Sequence, residues 1–510
     1  MGYNEYELSL PCSAPEAELR AAIARKAKLG DFEYSILLKS LDARHKDRIA
    51  WLYRVGVQSP ELKDGAAPKA PALEHTRTAR GGRVAVAGTG PAGIFAALYL
   101  ARSGFKVSVL ERGSRVDERK AALDAFEAGG PFPAADNYAF GEGGAGTFSD
   151  GKLSSRTKGI SAEREYLFSE FVAAGAPDEI RYMTHPHVGS DRLYAMTSRL
   201  RGALEEAGGS IEFGARVDDI VLSNGKVSAL DTTKGRFEAD AFVLACGHSS
   251  FDTQRMLMKR GVPFRTKNFA LGFRAEHEQA AINRAQWGVK SLPGVKAAEY
   301  RLTAQSGDTG VYSFCMCPGG TVVPAAAFPE ASVVNGKSDY SRAGRWANAA
   351  VVAGLSLNAL LGEDVSPERA LDWLEALERR FKDFAGGWRA PAMTIRDFMA
   401  GRSGTVLPPS SYPLGLMSAN LAELLPAALV PPLREGLSQF CRKLRGYEDG
   451  IILGLESKTS AAIQALRDPE AMTAGYENLY IAGEGSGWSG GIVSSAADGL
   501  KAAQALAARF

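Results

Sequence analysis

Residues 83–112 read RVAVAGTGPAGIFAALYLARSGFKVSVLER and decide the fold. The segment opens with a short apolar strand, continues through the GxGxxG turn Gly88–Gly93, and enters a helical register at Ile94–Arg102. A second apolar strand, Val107–Leu110, ends in the acid Glu111. A GxGxxG turn alone is a weak signal. A strand, turn, helix, second strand and terminal acid in this order predict a dinucleotide-binding unit.

Each part of this unit has a physical role. Gly88 permits the tight turn, Gly90 lets the backbone approach a pyrophosphate, and Gly93 lets helix and strand pack closely. The helix N-terminus offers free N–H groups to the phosphates, and Glu111 is placed to accept hydrogen bonds from the adenosine ribose. The residues predicted to bind the dinucleotide here are Gly88, Gly90, Pro91, Ala92, Gly93, Glu111 and Arg112.

Another GxGxxG match, Gly485–Gly490, lies near the end of the chain, after the strand Asn478–Ala482 and before the helix Gly491–Ala508. The segment resembles the end of flavoproteins with the glutathione-reductase-like fold, where a strand and a Gly-Asp or Gly-Glu pair precede a helix aimed at the flavin. The resemblance implies that Glu484 binds the ribityl chain and that the helix dipole stabilises the reduced flavin. It assigns to the cofactor Gly483, Glu484, Trp488, Gly490, Gly491 and Ile492.

Three further segments complete the predicted cofactor site. Asp240–His248 resembles the Ala-Thr-Gly strand of the same flavoproteins, and Val217 stands where their chain meets adenine. A third GxGxxG match, Gly141–Gly146, has no buried strand before it and no amphipathic helix after it, so we predict a loop whose amides wrap a ligand. These segments assign to the cofactor Arg119, Gly143, Gly144, Thr147, Ser149, Asp150, Lys152, Val217, Cys246 and Gly247. The signatures favour non-covalent FAD over NAD alone, and NAD(P)H is left open as a transient reductant.

A closer resemblance extends over nearly the whole chain. The segments that carry it are Ser40–Arg44, Gly141–Leu153, His185–Asp191, Gly272–His277, Tyr312–Gly320, Asn335–Ser338, Glu456–Ser460 and Gly483–Gly491. They resemble a widespread bacterial family of uncharacterised FAD-dependent dehydrogenases. The chain departs from that family at Lys458 and Gln464, where arginines are expected, and at Trp488 and Ser489, where Tyr and Ala are expected. Because lysine cannot replace the bidentate contacts of arginine, the resemblance implies FAD and leaves room for a different substrate.

Five residues are candidates for catalysis: Arg274, His277, Cys315, Cys317 and Lys458. Cys315 and Cys317 form a C-x-C pair, and a disulfide in so small a loop is easily reduced. The pair is therefore either a redox centre that exchanges electrons with the flavin or two small apolar residues of a pocket wall.

Histidines and basic residues give two further hypotheses. His277, together with His185 and His187, is either an acid–base group or a structural histidine, and the spacing indicates no metal site. A clamp for a carboxylate substrate could be built from Arg274, Arg342, Arg345 and Lys458. The alternative for these basic residues is ordinary surface solvation.

Composition excludes several classes of protein. The net charge is +2, from 60 basic and 58 acidic residues, which gives no support for binding to nucleic acid or a membrane surface. Five cysteines in 510 residues indicate a reducing compartment rather than a disulfide framework. No signal peptide is visible at Met1–Glu5, and the apolar stretch Trp346–Gly362 is short for a membrane span and is interpreted as a buried helix. We expect a cytoplasmic protein.

The predicted fold is α/β, with a Rossmann-like parallel-sheet FAD-binding domain built from residues 83–254 and 471–510. A mixed α/β substrate domain, residues 255–470, is inserted into it. A small strand–helix–strand–strand unit, residues 1–58, precedes a linker, residues 59–82. The unit is interpreted as a docking or dimerisation module, which leaves monomer and homodimer open.

Three functions remain open at this point. A flavin dehydrogenase or reductase would transfer a hydride between flavin N5 and a small, possibly anionic, substrate. An FAD monooxygenase is the first alternative, although its usual Gly-Asp signature has Glu484 here. The second is a flavin-containing regulatory protein that recruits a partner through its N-terminal unit.

Overall fold

The computed structural model describes residues 1–76, 78, 81–403, 406–469 and 472–510. Within the predicted linker, Arg77, Ala79 and Arg80 therefore lie outside the described residues, as does Ala471, the first residue of the predicted final segment.

An antiparallel sheet and one helix form the N-terminal unit. Its elements are β1 (Gly2–Pro11), α1 (Glu16–Ala27), β2 (Glu33–Asp42) and β3 (Ala50–Ser59). The strand order is β1-β3-β2, and α1 packs on the sheet through buried apolar side chains that include Leu19 and Ile23. The small α/β unit expected at the N-terminus is confirmed.

Strands alternate with helices in the next part of the chain. The elements are β4 (Arg83–Ala87), α2 (Pro91–Arg102), β5 (Lys106–Glu111), α3 (Val116–Glu127), α4 (Ser161–Ala173), α5 (Ser190–Glu206), β6 (Ser210–Phe213), β7 (Val217–Ser223), β8 (Lys226–Thr232), β9 (Gly235–Glu238), β10 (Ala241–Leu244) and α6 (Phe251–Lys259). Asn224 and Gly225 join β7 to β8 with φ of 51° and 75°, the left-handed pair that a two-residue hairpin turn requires. The predicted domain boundary after residue 254 falls inside α6, because that helix continues unbroken to Lys259.

Most strands of the middle part belong to one larger sheet. The elements are β11 (Phe264–Thr266), β12 (Phe269–Glu278), α7 (Gln279–Trp287), β13 (Thr303–Ser306), β14 (Thr309–Cys317), β15 (Thr321–Pro324), β16 (Val334–Lys337), β17 (Trp346–Leu355), α8 (Leu357–Leu361), α9 (Pro367–Ala385), β18 (Ala390–Thr394), α10 (Ile395–Ala400), β19 (Leu416–Ser418), α11 (Leu421–Leu424), α12 (Val430–Lys443), β20 (Ile451–Glu456) and β21 (Ile463–Ala465). The seven-stranded sheet has the order β13-β14-β17-β12-β20-β18-β19.

The chain then returns to the first sheet through β22 (Leu479–Ile481) and α13 (Ile492–Ala507). The five-stranded parallel sheet has the order β22-β10-β4-β5-β6, so its strands come from distant segments. Helices α2 and α13 pack closely, since a Cβ built on Gly499 would lie 2.1 Å from the carbonyl oxygen of Ala92. The predicted fold class, a Rossmann-like parallel sheet assembled from discontinuous segments, is confirmed.

The segment from Trp346 to Gly362 is not a buried helix, so that prediction is wrong. Trp346–Leu355 is β17, which pairs with β12 on one side and β14 on the other. Its central residues are fully buried on both faces. A strand buried on both faces is a continuous apolar run, which periodicity cannot distinguish from a buried helix. Alanine favours a helix, but pairing with two neighbours overrides that local preference.

The N-terminal unit makes hydrogen bonds to two later parts of the chain. The backbone N–H of Lys39 in β2 donates to the carbonyl of Tyr182 at 2.8 Å, and the N–H of Thr184 donates to the carbonyl of Lys39 at 3.0 Å. Lys46 donates through Nζ to the carbonyl of Ala285 at 2.7 Å. The edge of β2 therefore fixes the segment directly before His185. Within the described ranges, no helix combines the length and apolar character needed to cross a bilayer.

Candidate functional site

A cleft of about 1320 Å³ lies between the parallel sheet and the seven-stranded sheet. Both the turn Gly88–Ala92 and the turn Gly483–Ile492 contribute to its lining. The two turns also contact each other, because a Cβ built on Gly483 would lie 2.7 Å from the Cβ of Ala92. Segments almost 400 residues apart in sequence thus meet at one cleft.

The first turn is shaped by two glycines. Gly88 has a φ of 99°, and its N–H donates to the carbonyl of Leu110 at 2.8 Å. A Cβ on Gly93 would lie only 1.9 Å from the carbonyl oxygen of Gly88, so no larger residue fits there without displacing the backbone. Helix α2 starts at Pro91 without a side-chain cap from the described residues. Its first N–H groups are therefore free to bind an anionic ligand.

Glu111 lines the cleft, but its carboxylate is already used within the chain. Oε2 accepts hydrogen bonds from the backbone N–H and the hydroxyl of Thr89 at 3.0 and 2.5 Å. Oε1 accepts from the N–H groups of Gly113 and Gly141 at 3.0 and 3.2 Å. Four donors fill the lone-pair positions of one carboxylate. Glu111 thus joins the first turn to the loop at Gly141, and a ribose could bind it only by replacing one of these donors.

The loop that contains Gly141–Gly146 lies against the first turn, and the prediction of a loop here is confirmed. The N–H of Gly143 donates to the Thr89 hydroxyl at 3.1 Å. Arg119 is fully buried behind the loop and donates to four carbonyl groups, those of Asn137, Gly141, Glu142 and Gly144. Burial lowers the pKa of Arg119 to about 10, which leaves it cationic near neutral pH. Arg119 holds this loop in place instead of reaching the cleft.

The last turn carries the second uncapped helix start. Gly491 has a φ of 83° and precedes α13, whose first turn receives no side-chain cap from the described part of the chain. The carbonyl of Gly487 accepts hydrogen bonds from Lys267 Nζ at 2.7 Å and from Gln464 Nε2 at 3.1 Å. Gln464, one of the departures from the family pattern, therefore supports this turn. Trp488 donates through Nε1 to the carbonyl of Ala465 at 2.8 Å and remains 47% exposed beside the cleft.

Comparison with known proteins agrees with this geometry. A family model described as "FAD-dependent protein, C-terminal domain-like" matches residues 268–459, and one described as "FAD dependent oxidoreductase" matches residues 162–312. An "Uncharacterized protein" of Clostridium beijerinckii is 38% identical over 96% of this chain and 96% of its own length. The chain belongs to a bacterial family of FAD-dependent oxidoreductases. FAD is accordingly its cofactor, and the tight glycine turn, the two uncapped helix starts and the long cleft fit a dinucleotide.

Solved structures give only remote likenesses. Glycine oxidase from Geobacillus kaustophilus is 13% identical, with 84% of this chain and 95% of that chain covered and a TM-score of 0.33. A geranylgeranyl bacteriochlorophyll reductase-like protein from Thermoplasma acidophilum is 12% identical, with 84% and 78% covered and a TM-score of 0.37.

The structure brings most of the residues assigned from sequence to the wall of the cleft. They are Gly88, Gly90, Pro91, Ala92, Glu111, Arg112, Gly144, Ser149, Lys152, Val217, Cys246, Gly247, Cys315, Lys458, Gly483, Glu484, Trp488, Gly490, Gly491 and Ile492. Placement at the wall is what a cofactor or substrate contact requires, and the contacts themselves remain predictions.

Other assigned residues lie behind the wall, which corrects their expected placement. They are Gly93, Arg119, Gly143, Thr147, Asp150, Arg274, His277 and Cys317. Several of them support residues that do line the cleft. Thr147 and Gly143 both lie against Thr197 of α5, and the hydroxyl of Thr147 is 3.4 Å from that of Thr197. Asp150 accepts hydrogen bonds from Lys152 at 2.8 Å and Arg342 at 3.0 Å.

His277 is buried in the seven-stranded sheet domain, away from the cleft. Its Nε2 lies 2.7 Å from the carbonyl oxygen of Tyr447, and its ring packs on that tyrosine with 4.4 Å between centroids. Burial lowers the pKa of His277 to about 4, so the ring is neutral near pH 7. A structural histidine explains this environment, and the catalytic alternative for His277 is not supported by its position.

The other two candidate histidines, His187 and His185, differ in their surroundings. His187 is buried against Tyr340, and burial lowers its pKa to about 4. His185 lines the cleft and places Nδ1 2.5 Å from Oε1 of Glu299. Among the described residues, no three potential metal ligands come together.

The predicted anion clamp does not assemble as one cluster. Arg274 is fully buried and Arg345 is exposed, where it pairs with Glu278 at 2.7 Å. Only Arg342 and Lys458 of the four lie at the cleft. Sequence spacing could not show this, because the four residues occupy separate strands and loops whose packing decides which of them reach the wall.

Two polar residues of the cleft were missed as site residues by sequence reasoning. His248 follows Cys246 and Gly247 at the carboxyl end of β10, and its Nδ1 lies 3.4 Å from Oε2 of Glu484. The Nε2 of His248 is buried and has no hydrogen-bond partner among the described residues. The second missed residue is Thr459, whose Oγ1 is likewise buried without a partner among them. The signal for His248 was its place at the carboxyl end of a parallel strand, where ligands of such sheets bind.

Thr89 provides a test of the contact between the first turn and the loop. Because its hydroxyl both donates to Glu111 and accepts from Gly143, Thr89→Val should leave buried partners unsatisfied and lower FAD affinity about tenfold. Thr89→Ser keeps the hydroxyl and should bind FAD within about twofold of the wild type. Titration of deflavinated protein with FAD measures both, and equal affinity of the Val and Ser variants would contradict the role of the hydroxyl.

Proposed function

We propose that the chain is an FAD-dependent dehydrogenase or reductase that acts on a small anionic substrate. The bound flavin would supply the ring that gives or takes the hydride. The observation that carries the proposal is the group of basic residues that line the cleft outside the two glycine turns. Besides Arg112 and Arg216, they are Lys152, Arg156, Arg301, Arg342 and Lys458, and the proposal rests on these five.

Three of these cations are held in place by buried or half-buried acids. Lys152 and Arg342 share Asp150. Against the raising effect of burial, their charges hold the pKa of Asp150 well below its usual range. Lys458 lies 2.7 Å from Oε1 of Glu378. The pairs fix the orientation of the cations and balance much of their charge.

The remaining two cations, Arg156 and Arg301, are exposed and form no ion pair with any described residue. Unpaired arginines at the mouth of a cleft attract anions and can bind a carboxylate or phosphate in two-point geometry. The cleft therefore offers a rigid inner group of paired cations and an outer pair with free charge. This arrangement supports an anionic substrate rather than an apolar one.

The direct test is anaerobic reduction of the bound flavin, followed by its visible absorbance, with a panel of metabolites. The panel should contain carboxylates paired with their neutral amides, each with and without NAD(P)H. We expect at least one carboxylate to bleach the flavin and its amide to react far more slowly. Bleaching by the amides alone would contradict the anionic substrate, and formation of a peroxyflavin with substrate and oxygen would favour the monooxygenase alternative.

The outer arginines allow a sharper test. Arg156→Gln with Arg301→Gln should raise KM for the carboxylate about tenfold with little change in kcat, because each removed charge contributes mainly to binding. The wild-type KM should also rise with ionic strength, since exposed charges are screened. Arg345→Gln is the matched control, because Arg345 is exposed and lies away from the cleft. A KM unchanged in the double variant would contradict the role of the two arginines.

A further inference from the structure

A bulge in strand β14 places a pair of cysteines at the cleft. Phe314 pairs with Ala350 and Cys317 pairs with Asn348, so Cys315 and Met316 together oppose a single residue of β17. Cys315 adopts a φ of 45°, in the left-handed region where such bulges usually have glycine. A bulge re-aims the side chains beside it. Here Cys315 lines the cleft, while Cys317 is fully buried behind it.

Two cations flank the cysteine pair. Arg274, which is fully buried, donates through Nη2 to the sulfur of Cys317 at 3.3 Å and to the carbonyl of Cys315 at 2.7 Å. Lys152 donates through Nζ to the carbonyl of Met316 from the side of the cleft. The thiol of Cys317 lies 3.3 Å from the carbonyl oxygen of Cys315. Buried cations at this distance favour one negative charge on the cysteine pair. The hydrogen bond with Cys315 and burial raise the pKa of Cys317 well above its usual value, so Cys317 keeps its proton while Cys315 carries the charge.

The other cysteines of the chain lack such surroundings. A hydrogen bond from Cys317, with Lys152 and Arg274 nearby, lowers the pKa of Cys315 against the effect of burial. Cys246 lines the same cleft, yet burial raises its pKa to about 12. Burial also raises the pKa of Cys441, to about 11. Reactive cysteines occupy electropositive, partly accessible positions, and of these thiols only Cys315 has both properties.

We propose that Cys315 and Cys317 form a redox-active dithiol that exchanges two electrons with the flavin bound in the cleft. The inference rests on the proposed function, because the flavin is the electron partner. In the oxidising direction, the Cys315 thiolate and the Cys317 thiol form one S–S bond. They release two electrons and the proton of Cys317, which the oxidised flavin takes up. The reverse reaction breaks the S–S bond and restores the thiolate and the thiol. A disulfide between residues two apart closes a small ring, and such disulfides are readily reduced.

The proposal is tested by counting thiols in the holoprotein. The protein is equilibrated without oxygen in buffers that range from reduced to oxidised glutathione, then denatured in acid and alkylated, and the modified peptides are measured by mass spectrometry. We expect Cys315 and Cys317 to lose alkylation together in oxidising buffer and to regain it on reduction. Cys441 should be alkylated throughout and serves as the internal standard. Alkylation of Cys315 and Cys317 at every ratio of the two glutathione forms would overturn the proposal.

A second measurement tests the exchange with flavin. When the flavin of the disulfide form is reduced by light, its absorbance should recover without oxygen while two thiols appear. A disulfide that cycles with glutathione but leaves the flavin absorbance unchanged would also overturn the proposal. This result does not depend on a metabolite, so failure of the metabolite panel and failure of the dithiol are distinguished.

The pH dependence of alkylation separates a redox pair from two pocket residues. In reduced holoprotein, alkylation of Cys315 should be half-maximal at a pH well below the value of an ordinary thiol, because the pKa of Cys315 is lowered. Removing the hydrogen bond by Cys317→Ala should move the midpoint up, toward the value of about 8.5 for an ordinary thiol. FAD content and the unfolding temperature report whether the variant is folded. A wild-type midpoint at or above that of an ordinary thiol would contradict the assigned environment.

Discussion

Replacing Gly93 with alanine is expected to lower the affinity for FAD by about 100-fold, equivalent to about 2.7 kcal/mol. The new Cβ would lie 1.9 Å from the carbonyl oxygen of Gly88 and 3.4 Å from the Cβ of Ala245. The nearest atom belongs to the backbone of the turn, so the start of α2 must move away from β4. The N–H groups at that helix start would then no longer point where Gly88 and Gly90 direct the cofactor. Titration of deflavinated protein with FAD measures the loss.

The matched control is Gly202→Ala. Gly202 lies inside helix α5, and a Cβ built there meets no atom within 4 Å. Alanine is the better helix former by up to about 1 kcal/mol, so the control should be as stable as the wild type or more so, with unchanged FAD affinity. If Gly93→Ala bound FAD as tightly as Gly202→Ala, the proposed role of the first turn would be wrong.

Arg274→Leu is expected to have the largest effect on stability, a loss of about 3–5 kcal/mol in the free energy of unfolding. The guanidinium donates to Oδ1 of Asn348 at 2.6 Å, to Oε2 of Glu456 at 3.0 Å and to the carbonyl of Cys315 at 2.7 Å. All of these acceptors are buried or nearly so, and leucine can satisfy none of them. Urea unfolding followed by circular dichroism measures the change.

The effect should grow with pH. Burial raises the pKa of Glu456 to about 7 even though Arg274 opposes that rise. Without Arg274 the folded-state pKa rises further. The unfolded chain still ionises near its ordinary value of 4.5. A group with a raised folded pKa loses its contribution as pH rises, so the variant should lose more stability at pH 8 than at pH 5.

Arg345→Leu is the control for burial. Its ion pair with Glu278 is shorter, at 2.7 Å against 3.0 Å for Arg274 and Glu456, but the Arg345 side chain is 62% exposed. Such surface pairs contribute less than about 1 kcal/mol. Two outcomes would contradict the stabilising role of the buried Arg274 cluster. One is an equal loss in the free energy of unfolding for the two leucine variants, and the other is a loss for Arg274→Leu that does not change with pH.

Sequence reasoning succeeded where local chemistry dictates the backbone. The glycines at 88 and 93 and the Asn224-Gly225 turn need conformations or clearances that few residues allow, so their types reveal the structure around them. The starts of α2 and α13 were predictable in the same way, because each helix follows a glycine-rich turn. These features are sufficient to predict a parallel sheet with two turns at one cleft.

The failures have a common physical cause, which is that long-range packing decides them. The sequence of β17 alone predicted a helix, and only its pairing with β12 and β14 makes it a strand. Arg274 and His277 lie on one strand and were both candidates for catalysis, but one contacts the cysteine bulge and the other packs on Tyr447. A local sequence pattern does not show which buried partner a side chain contacts. The sequence therefore predicted which segments form the candidate site, but not what each of their side chains does there.

Two turns distant in sequence are assigned to one FAD molecule, the first to its pyrophosphate and the last to its flavin ring. A crystal structure of the holoprotein tests this assignment most directly. We expect one non-covalent FAD in the cleft, with its pyrophosphate at the start of α2 and its ring at the start of α13, beside Glu484. FAD bound outside this cleft, or with its ring away from Glu484–Gly491, would contradict the assignment.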